Sequence, residues 1–255
     1  QLGGILKKIK DTAGSTAQEK TNKEVSSAVN KGIDLALGEL FFIVDSDDWL
    51  TEDSIETIIL NWNLVQKLDN KVEFAGVSGN RLFPSGKVNG GEVGYTTLDS
   101  NVFDYRFIHR VKGDKAEVYL TSILKQYPFP FFEGEMFCPE SVVWYRIGEN
   151  YQLRFFNKGI YMGEYLTGGI TDLSVPMRAK SPRYTALAYQ EMANSVKMPL
   201  LGKVKSLINY WRFSPYNHYQ NLNEKLNGLK PWWAILLFPI GFSMYLFEKK
   251  LVKRK

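Results

Sequence analysis

With 255 residues, 44% of them hydrophobic and 23% charged, the chain has the profile of one large globular domain, or one domain with an appendage, which excludes wholesale disorder and a polytopic membrane protein. A single cysteine, Cys138, excludes an intramolecular disulfide framework and fits a reducing compartment, and the distant pair His109 and His218 argues against a histidine-rich metal centre, so any chemistry must rest mainly on carboxylates. The net charge of +5 is uneven: residues 201–255 hold ten Lys/Arg against Glu224 and Glu248, an excess of +8 that leaves −3 upstream and speaks against a continuous nucleic-acid-binding face.

Residues 1–24 are lysine-rich and read as a short helix followed by a loop, without the apolar segment and cleavage site of a secretory signal. The chain begins at Gln1 rather than methionine and is expected to be an excerpt. Val25, Ala28, Val29, Gly32, Ile33 and Ala36 fall on one helical stripe, with Gly38 placed for a left-handed cap. Leu40-Phe-Phe-Ile-Val44 is a continuous apolar run, expected as a strand buried on both faces of a parallel sheet. After the acidic stretch Asp45-Ser-Asp47-Asp48, Thr51 suits an N-cap, Glu52 and Asp53 suit a first turn, and Ile55, Ile58, Ile59, Trp62 and Val65 mark an inward helix face. Helix, buried strand, acidic loop and helix together predict an α/β layered core.

Val72–Ser78 is the next strand candidate. Turn signals at Pro84-Ser-Gly86 and Asn89-Gly-Gly91 make Arg81–Thr97 a hairpin or mobile loop. Asp114, with Glu117 three residues on, resembles a capping box opening a helix that runs through Val118, Leu120, Ile123 and Leu124 to Pro128. An aromatic, acidic segment follows at Phe129–Met136, then a helix over Pro139–Ile147. Strands are expected at Leu153–Asn157 and Gly159–Tyr165, and a turn or hinge at Gly168-Gly169. Residues 171–230 read as mostly helical.

The tail holds Trp232-Trp-Ala-Ile-Leu-Leu-Phe-Pro-Ile-Gly-Phe-Ser-Met-Tyr-Leu-Phe247, a run too short, and too interrupted by Pro239 and Gly241, for a spanning helix of about 20 apolar residues. Tryptophans at one end and Lys/Arg at the other suit a segment lying at a membrane surface. A helical hairpin packed on the body is the alternative.

Asp45-Ser-Asp47-Asp48 ends a buried strand, where open α/β sheets bind their ligands. An Asp-x-Asp pair offers hard oxygen ligands for Mg²⁺ or Mn²⁺, and such an ion keeps positions open for a diphosphate. A solvated strand-to-helix turn would use the same residues. Cys138 has no nearby histidine or second cysteine and reads as a small buried residue.

The ungapped run of about 27 residues from Asn22 to Asp48 joins Asn30, Gly32, Ala36, Gly38, the apolar strand and Asp-Ser-Asp-Asp, and it resembles the central signature of family 2 glycosyltransferases of the GT-A fold. Gly113-Asp-Lys-Ala-Glu117, Phe132-Glu-Gly-Glu135 and Arg154-Phe-Phe-Asn157 continue the likeness in the order of bacterial polysaccharide or capsule members, so that it covers roughly residues 20–175. The resemblance implies a GT-A-like, mostly parallel sheet flanked by helices over 1–175, lacking the N-terminal nucleotide-binding strand, and a helical extension over 176–255 with the membrane-associating segment at 231–255.

It also implies site roles. Asp45 would approach the ribose and Asp47 the divalent ion, both carboxylates contributing to the metal site, with Asp48 free to cap the next helix. Asn30 and Gly32 would lie near the nucleotide. Glu135, with Glu133 as the other candidate, would be the catalytic base, although Met136 stands where the family's Glu-Asp pair has its aspartate and Val29 replaces a common arginine. The expected activity is inverting transfer from a nucleotide-diphosphate sugar, with UDP as the expected nucleotide, to a saccharide or lipid-linked acceptor in cell-envelope polysaccharide synthesis, on the cytoplasmic face of the membrane and with Mg²⁺ or Mn²⁺. The alternative is a catalytically inactive or truncated member acting as a membrane-associated assembly partner.

Overall fold

The computed structural model describes residues 28–135, 137–164 and 174–254, with no side-chain description from 250 onward. The expected N-terminal helix and loop, Met136 and Gly168-Gly169 lie outside the described residues. In chain order, a helix over 28–35 (α1) leads to β1 (Leu40–Phe42), β2 (Trp49–Leu50) and α2 (Ser54–Val65). Then come β3 (Phe74–Leu82), β4 (Thr97–Ser100), a π-helical turn at Asp104–Ile108, β5 (Lys115–Leu120) and the short α3 (Thr121–Leu124). Helix α4 (Ser141–Gly148) and β6 (Gln152–Met162) complete the sheet region. Five helices follow: α5 (Ser174–Lys180), α6 (Pro182–Asn194), α7 (Leu200–Phe213), α8 (Leu222–Asn227) and α9 (Phe238–Arg254), with a 3₁₀ segment at Trp232–Leu237 before the last.

The sheet is mixed rather than mostly parallel. Its path among the described residues is β1-β5-β3-β6-β2, with β4 also on β6, and only β3 and β6 run parallel. Strand β1 is correspondingly not a two-face-buried parallel strand. It pairs antiparallel with β5 at one border of the described sheet, and its three residues are half-buried. Gly38 does not take the left-handed conformation expected of a cap.

The expected helix from Asp114 is β5 followed by α3. Lys115–Leu120 is hydrogen-bonded on both sides, to β1 and to β3, and sends Val118 and Tyr119 into different cores. A two-sided ladder with buried β-branched and aromatic side chains outweighs a local capping pattern. The two strands expected between Leu153 and Tyr165 are one long strand, β6, irregular in its register with β3 near its middle.

Alternation along the strands makes two cores. Ala75, Tyr119, Leu153 and Phe155 pack with Ile33 of α1 and with Val143, Trp144 and Ile147 of α4. On the opposite face Phe74, Val77, Val118 and Ile160 meet Ile58, Trp62 and Val65 of α2, whereas Ile55 and Ile59, expected inside, are exposed. The α/β layering thus stands. A third core, centred on Leu207, Tyr210 and Trp211 of α7, includes Ala234 with Trp233 and Phe238 packed against it.

The tail therefore forms helices packed on the body. Pro239 is the second residue of α9, a position where its missing N–H costs nothing. Gly241 sits where α9 crosses α7: a Cβ there would lie 2.5 Å from the Ile208 carbonyl oxygen and 2.6 Å from Trp211 Cβ. No described helix is long and apolar enough to cross a membrane.

Candidate active site

Strands β3 and β6 end side by side at Arg81 and Tyr161, and β5 begins at the same end with Lys115. The chain leaves the β1 ladder after Phe42, whose partner is Val118, and carries Ile43, Val44 and Asp45 out over Glu117. This departure opens a cleft lined by Asp45, Arg81, Lys115, Glu117, Glu140 and Tyr161, with Trp144 in its wall. Its enclosed part is about 50 Å³, room for a few waters; any larger ligand must lie across the open rim.

The acidic stretch divides by task. Asp48 is buried against Arg81, 2.8 Å from Nη2, and accepts the Tyr161 hydroxyl hydrogen at 2.8 Å; the same hydroxyl accepts from the Asp45 backbone N–H at 3.0 Å. Asp48 thus fixes the loop and does not cap a helix. Asp45 and Asp47 remain exposed. Burial, then the neighbouring Asp48, raise the Asp45 pKa, while Arg81 opposes them. Two outward carboxylates with this excess of negative charge suit a divalent cation in kind. Among the described residues no group of three or more His, Cys, Asp or Glu forms a ready-made cage, so water or substrate oxygens would have to complete the coordination.

Glu140, which the sequence reading passed over, lies in the same cleft as Asp45. It directly precedes α4, and its side chain makes no cap there and no other hydrogen bond among the described residues, although its backbone carbonyl accepts from the Val143 and Trp144 N–H groups. Although Glu140 presents surface to the open cleft, protein crowds it closely enough that burial, followed by repulsion from Asp45 and Asp114, raises its pKa to about 7. Glu117, on β5, is also raised to about 7 by burial, but Arg106 stands 3.8 Å from its carboxylate and offsets part of that effect. Lys115 donates to Asn80 Oδ1 at 2.9 Å, and Asn80 in turn donates to Asn157 at 2.8 Å. Burial, then Arg106, lowers the Lys115 pKa to about 8, so it remains mainly a cation at neutral pH.

Glu135 is placed elsewhere. Its carboxylate accepts from the backbone N–H groups of Arg183 and Tyr184 at 2.8 and 2.9 Å and pairs with Arg183 Nε at 3.0 Å, closing the N-terminus of α6. An anion there complements the helix dipole and satisfies otherwise orphaned donors. The backbone carbonyl of Glu133 is held by the Arg183 guanidinium, and neither glutamate lines the Asp45 cleft. The aromatic segment is stitched to α6 as a whole, with Phe132 N–H donating to the Tyr184 hydroxyl and Phe137 N–H to Ser181 Oγ. Tertiary position, not residue type, separates Glu135 from Glu140. The available signal was the helix expected from Pro139, which puts Glu140 directly at a helix start.

Asn30 also has a structural duty. Its amide donates to the Phe129 carbonyl and accepts from the Phe129 N–H, both at 2.9 Å, clamping α1 to the aromatic segment. Gly32 has space beside it, since an added Cβ would make only an ordinary 3.8 Å contact with Phe41. Cys138 is half-buried, and burial pushes its thiol up to about 12, as befits a packing residue.

The family model described as "Glycosyl transferase family 2" matches residues 14–82, a span that contains α1, the whole acidic stretch and β3. The family match stops at Leu82, before Glu117 and Glu140. No curated protein matches the chain in sequence. Among solved structures, S. aureus TarS 1-349 matches at 15% identity over 88% of this chain and 68% of that one, with a TM-score of 0.48. Its complexes with UDP and with UDP-GlcNAc match at the same identity and share of this chain, covering 68% and 69% of theirs with TM-scores of 0.45 and 0.46. A likeness of this size leaves the chemistry to rest on the chain's own residues.

Proposed function

We propose that this protein, whose residues 14–82 match the family 2 glycosyl transferase model, is an inverting glycosyltransferase that moves a sugar from a UDP-linked donor to a saccharide or lipid-linked acceptor used in building cell-envelope polysaccharide. The observation that carries the reading is the meeting of Asp45 and Glu140 in one cleft at the end of the sheet, within reach of the exposed Asp47 and flanked by the cation of Lys115. Asp45 and Asp47 would hold Mg²⁺ or Mn²⁺. When bound, that ion would neutralise charge developing on the departing diphosphate.

Glu140 is the proposed base in place of Glu135 and Glu133. It takes the proton from the acceptor hydroxyl as the new bond forms to the anomeric carbon and the bond to the diphosphate breaks on the opposite face. Its elevated pKa makes it a stronger base than an ordinary surface carboxylate, and its carboxylate has no hydrogen-bond partner among the described residues. Lys115 adds positive charge on the floor of the cleft. Arg81 and Tyr161 position the acidic loop.

The tail supports docking at the inner membrane surface from the cytoplasmic side. Trp232, Leu236, Ile240 and Phe247 stay exposed while Trp233, Ala234 and Phe238 pack, and the sequence adds Lys249, Lys250, Lys253, Arg254 and Lys255 after them. Calorimetry with UDP and Mn²⁺, together with turnover of a UDP-sugar panel by the intact gene product, tests the enzyme reading. Asp47→Ala is expected to abolish metal-dependent turnover and weaken UDP binding in the presence of Mn²⁺. Absence of UDP binding in the unaltered protein would favour the inactive assembly partner.

A further inference from the structure

A second groove, of about 360 Å³, is lined by Tyr95, Leu98, His109, Arg110 and Lys112, and Glu92 is its one acidic lining residue. It adjoins the acidic cleft through Arg106. That guanidinium donates to the carbonyls of Val111 at 3.4 Å and Gly113 at 2.5 Å, and it also faces Glu117 at 3.8 Å. Lys112 stands three residues before Lys115 of the cleft, so the two recesses share one loop.

Two features fix the backbone that carries the groove's cations. A Cβ on Gly90 would lie 2.1 Å from the Lys112 carbonyl oxygen, and one on Gly113 would lie 2.4 Å from that of Asn89, so the two loops are in backbone contact that only glycine permits. Between them Arg110 has φ of 57°, the one left-handed non-glycine residue described. A non-glycine residue stays in that conformation only when its surroundings enforce it, and such outliers cluster at binding sites. Arg110 and Lys112 are exposed and form no ion pair among the described residues. The Tyr95 hydroxyl is tied to that of Tyr105 at 2.7 Å, which fixes its ring beside them.

We propose that this groove binds a phosphoryl group carried by the acceptor saccharide. The guanidinium fork of Arg110 and the ammonium of Lys112 take the phosphoryl oxygens, and the Tyr95 ring offers an apolar face to the sugar. The proposal rests on the transferase reading and specifies its acceptor: a phosphorylated glycan placed next to Glu140.

The test uses the full chain titrated with glucose 1-phosphate, with UDP titrated separately. Arg110→Asn is combined with Lys112→Gln, because asparagine tolerates the left-handed conformation and both sites are exposed. The double variant is expected to bind glucose 1-phosphate at least about ten-fold more weakly, with UDP affinity and melting temperature unchanged. Equal affinity in both proteins, or no saturable binding in either, overturns the proposal. Vesicles containing phosphatidylglycerol form the third arm: if the double variant weakens vesicle binding but not glucose 1-phosphate binding, the groove reads lipid headgroups and the saccharide assignment falls. Loss of UDP binding in the unaltered protein would instead sink the transferase reading and leave the sugar-phosphate result standing by itself.

Discussion

At the scale of single residues, the division of labour among carboxylates follows from their partners. The carboxylates of Asp48 and Glu135 accept from several donors and hold structure, whereas those of Asp47 and Glu140 have no hydrogen-bond partner among the described residues. Glu140→Gln preserves shape and removes only the ability to take a proton. It is expected to lower kcat about 10²–10⁴-fold with UDP affinity retained, measured by steady-state turnover and calorimetry. Since the base must be ionised, kcat/KM should rise with pH through about 7, and the glutamine variant should lose that limb. Stability should move the opposite way. The fold favours the protonated forms of Glu117 and Glu140, so their contribution is intact below the ordinary carboxylate range and lost as pH rises through about 7. A melting temperature that climbs across that interval would contradict this assignment of burial. The sequence made Asp45 and Asp47 visible because consecutive acids after an apolar run are conspicuous. Glu140 was hidden, for nothing local distinguishes an acid that faces a cleft from one that caps a helix.

Among the elements, the legible ones were those whose periodicity and burial agree. Helices α2 and α4 lie where the apolar spacing placed them, because Ile58, Trp62 and Val65, and Val143 and Ile147, recur at helical intervals on one buried face. Strand β5 was misread because Asp114-Lys-Ala-Glu117 carries a helical start signal, while the reason it is a strand lies elsewhere in the chain, in β1 and β3. Pro239 and Gly241 were read as interruptions and prove to be a helix start and a helix crossing. The crossing is tight: Trp211 is fully buried and its indole N–H donates to the Ala234 carbonyl at 2.8 Å, and Arg212 pairs with Glu248 at 2.6 Å. Gly241→Ala would force the backbones of α7 and α9 apart and should cost about 1–3 kcal/mol in chemical denaturation, without altering UDP binding. Trp211→Ala should cost more, about 3–5 kcal/mol, through the cavity and the orphaned carbonyl. If the first variant were neutral, the α7–α9 contact would be looser than the described geometry.

For the whole molecule, charge and apolar exposure converge on one end. The excess of +8 in residues 201–255 lies in the same region as Trp232, Leu236, Ile240 and Phe247, which remain exposed although their neighbours Trp233, Ala234 and Phe238 pack against α7. A segment that served only as a packed hairpin would have no physical reason to keep a tryptophan at 86% exposure and a phenylalanine at 82%. An interface between water and anionic lipid supplies one, because burying those rings and releasing counterions from phosphate both favour contact. The protein should therefore cosediment with vesicles containing phosphatidylglycerol and bind vesicles of phosphatidylcholine far less. Trp232→Ser with Phe247→Ser should reduce binding to the anionic vesicles by about ten-fold or more, since each ring contributes about 1.5–3 kcal/mol when buried. Raised salt should weaken binding in the unaltered protein by screening the cationic tail. The same variant should still turn over a soluble acceptor, because the two rings lie outside the Asp45 cleft. If anionic vesicles bound both proteins equally, the apolar surface would have to serve another contact, and membrane docking at this end of the molecule would be abandoned.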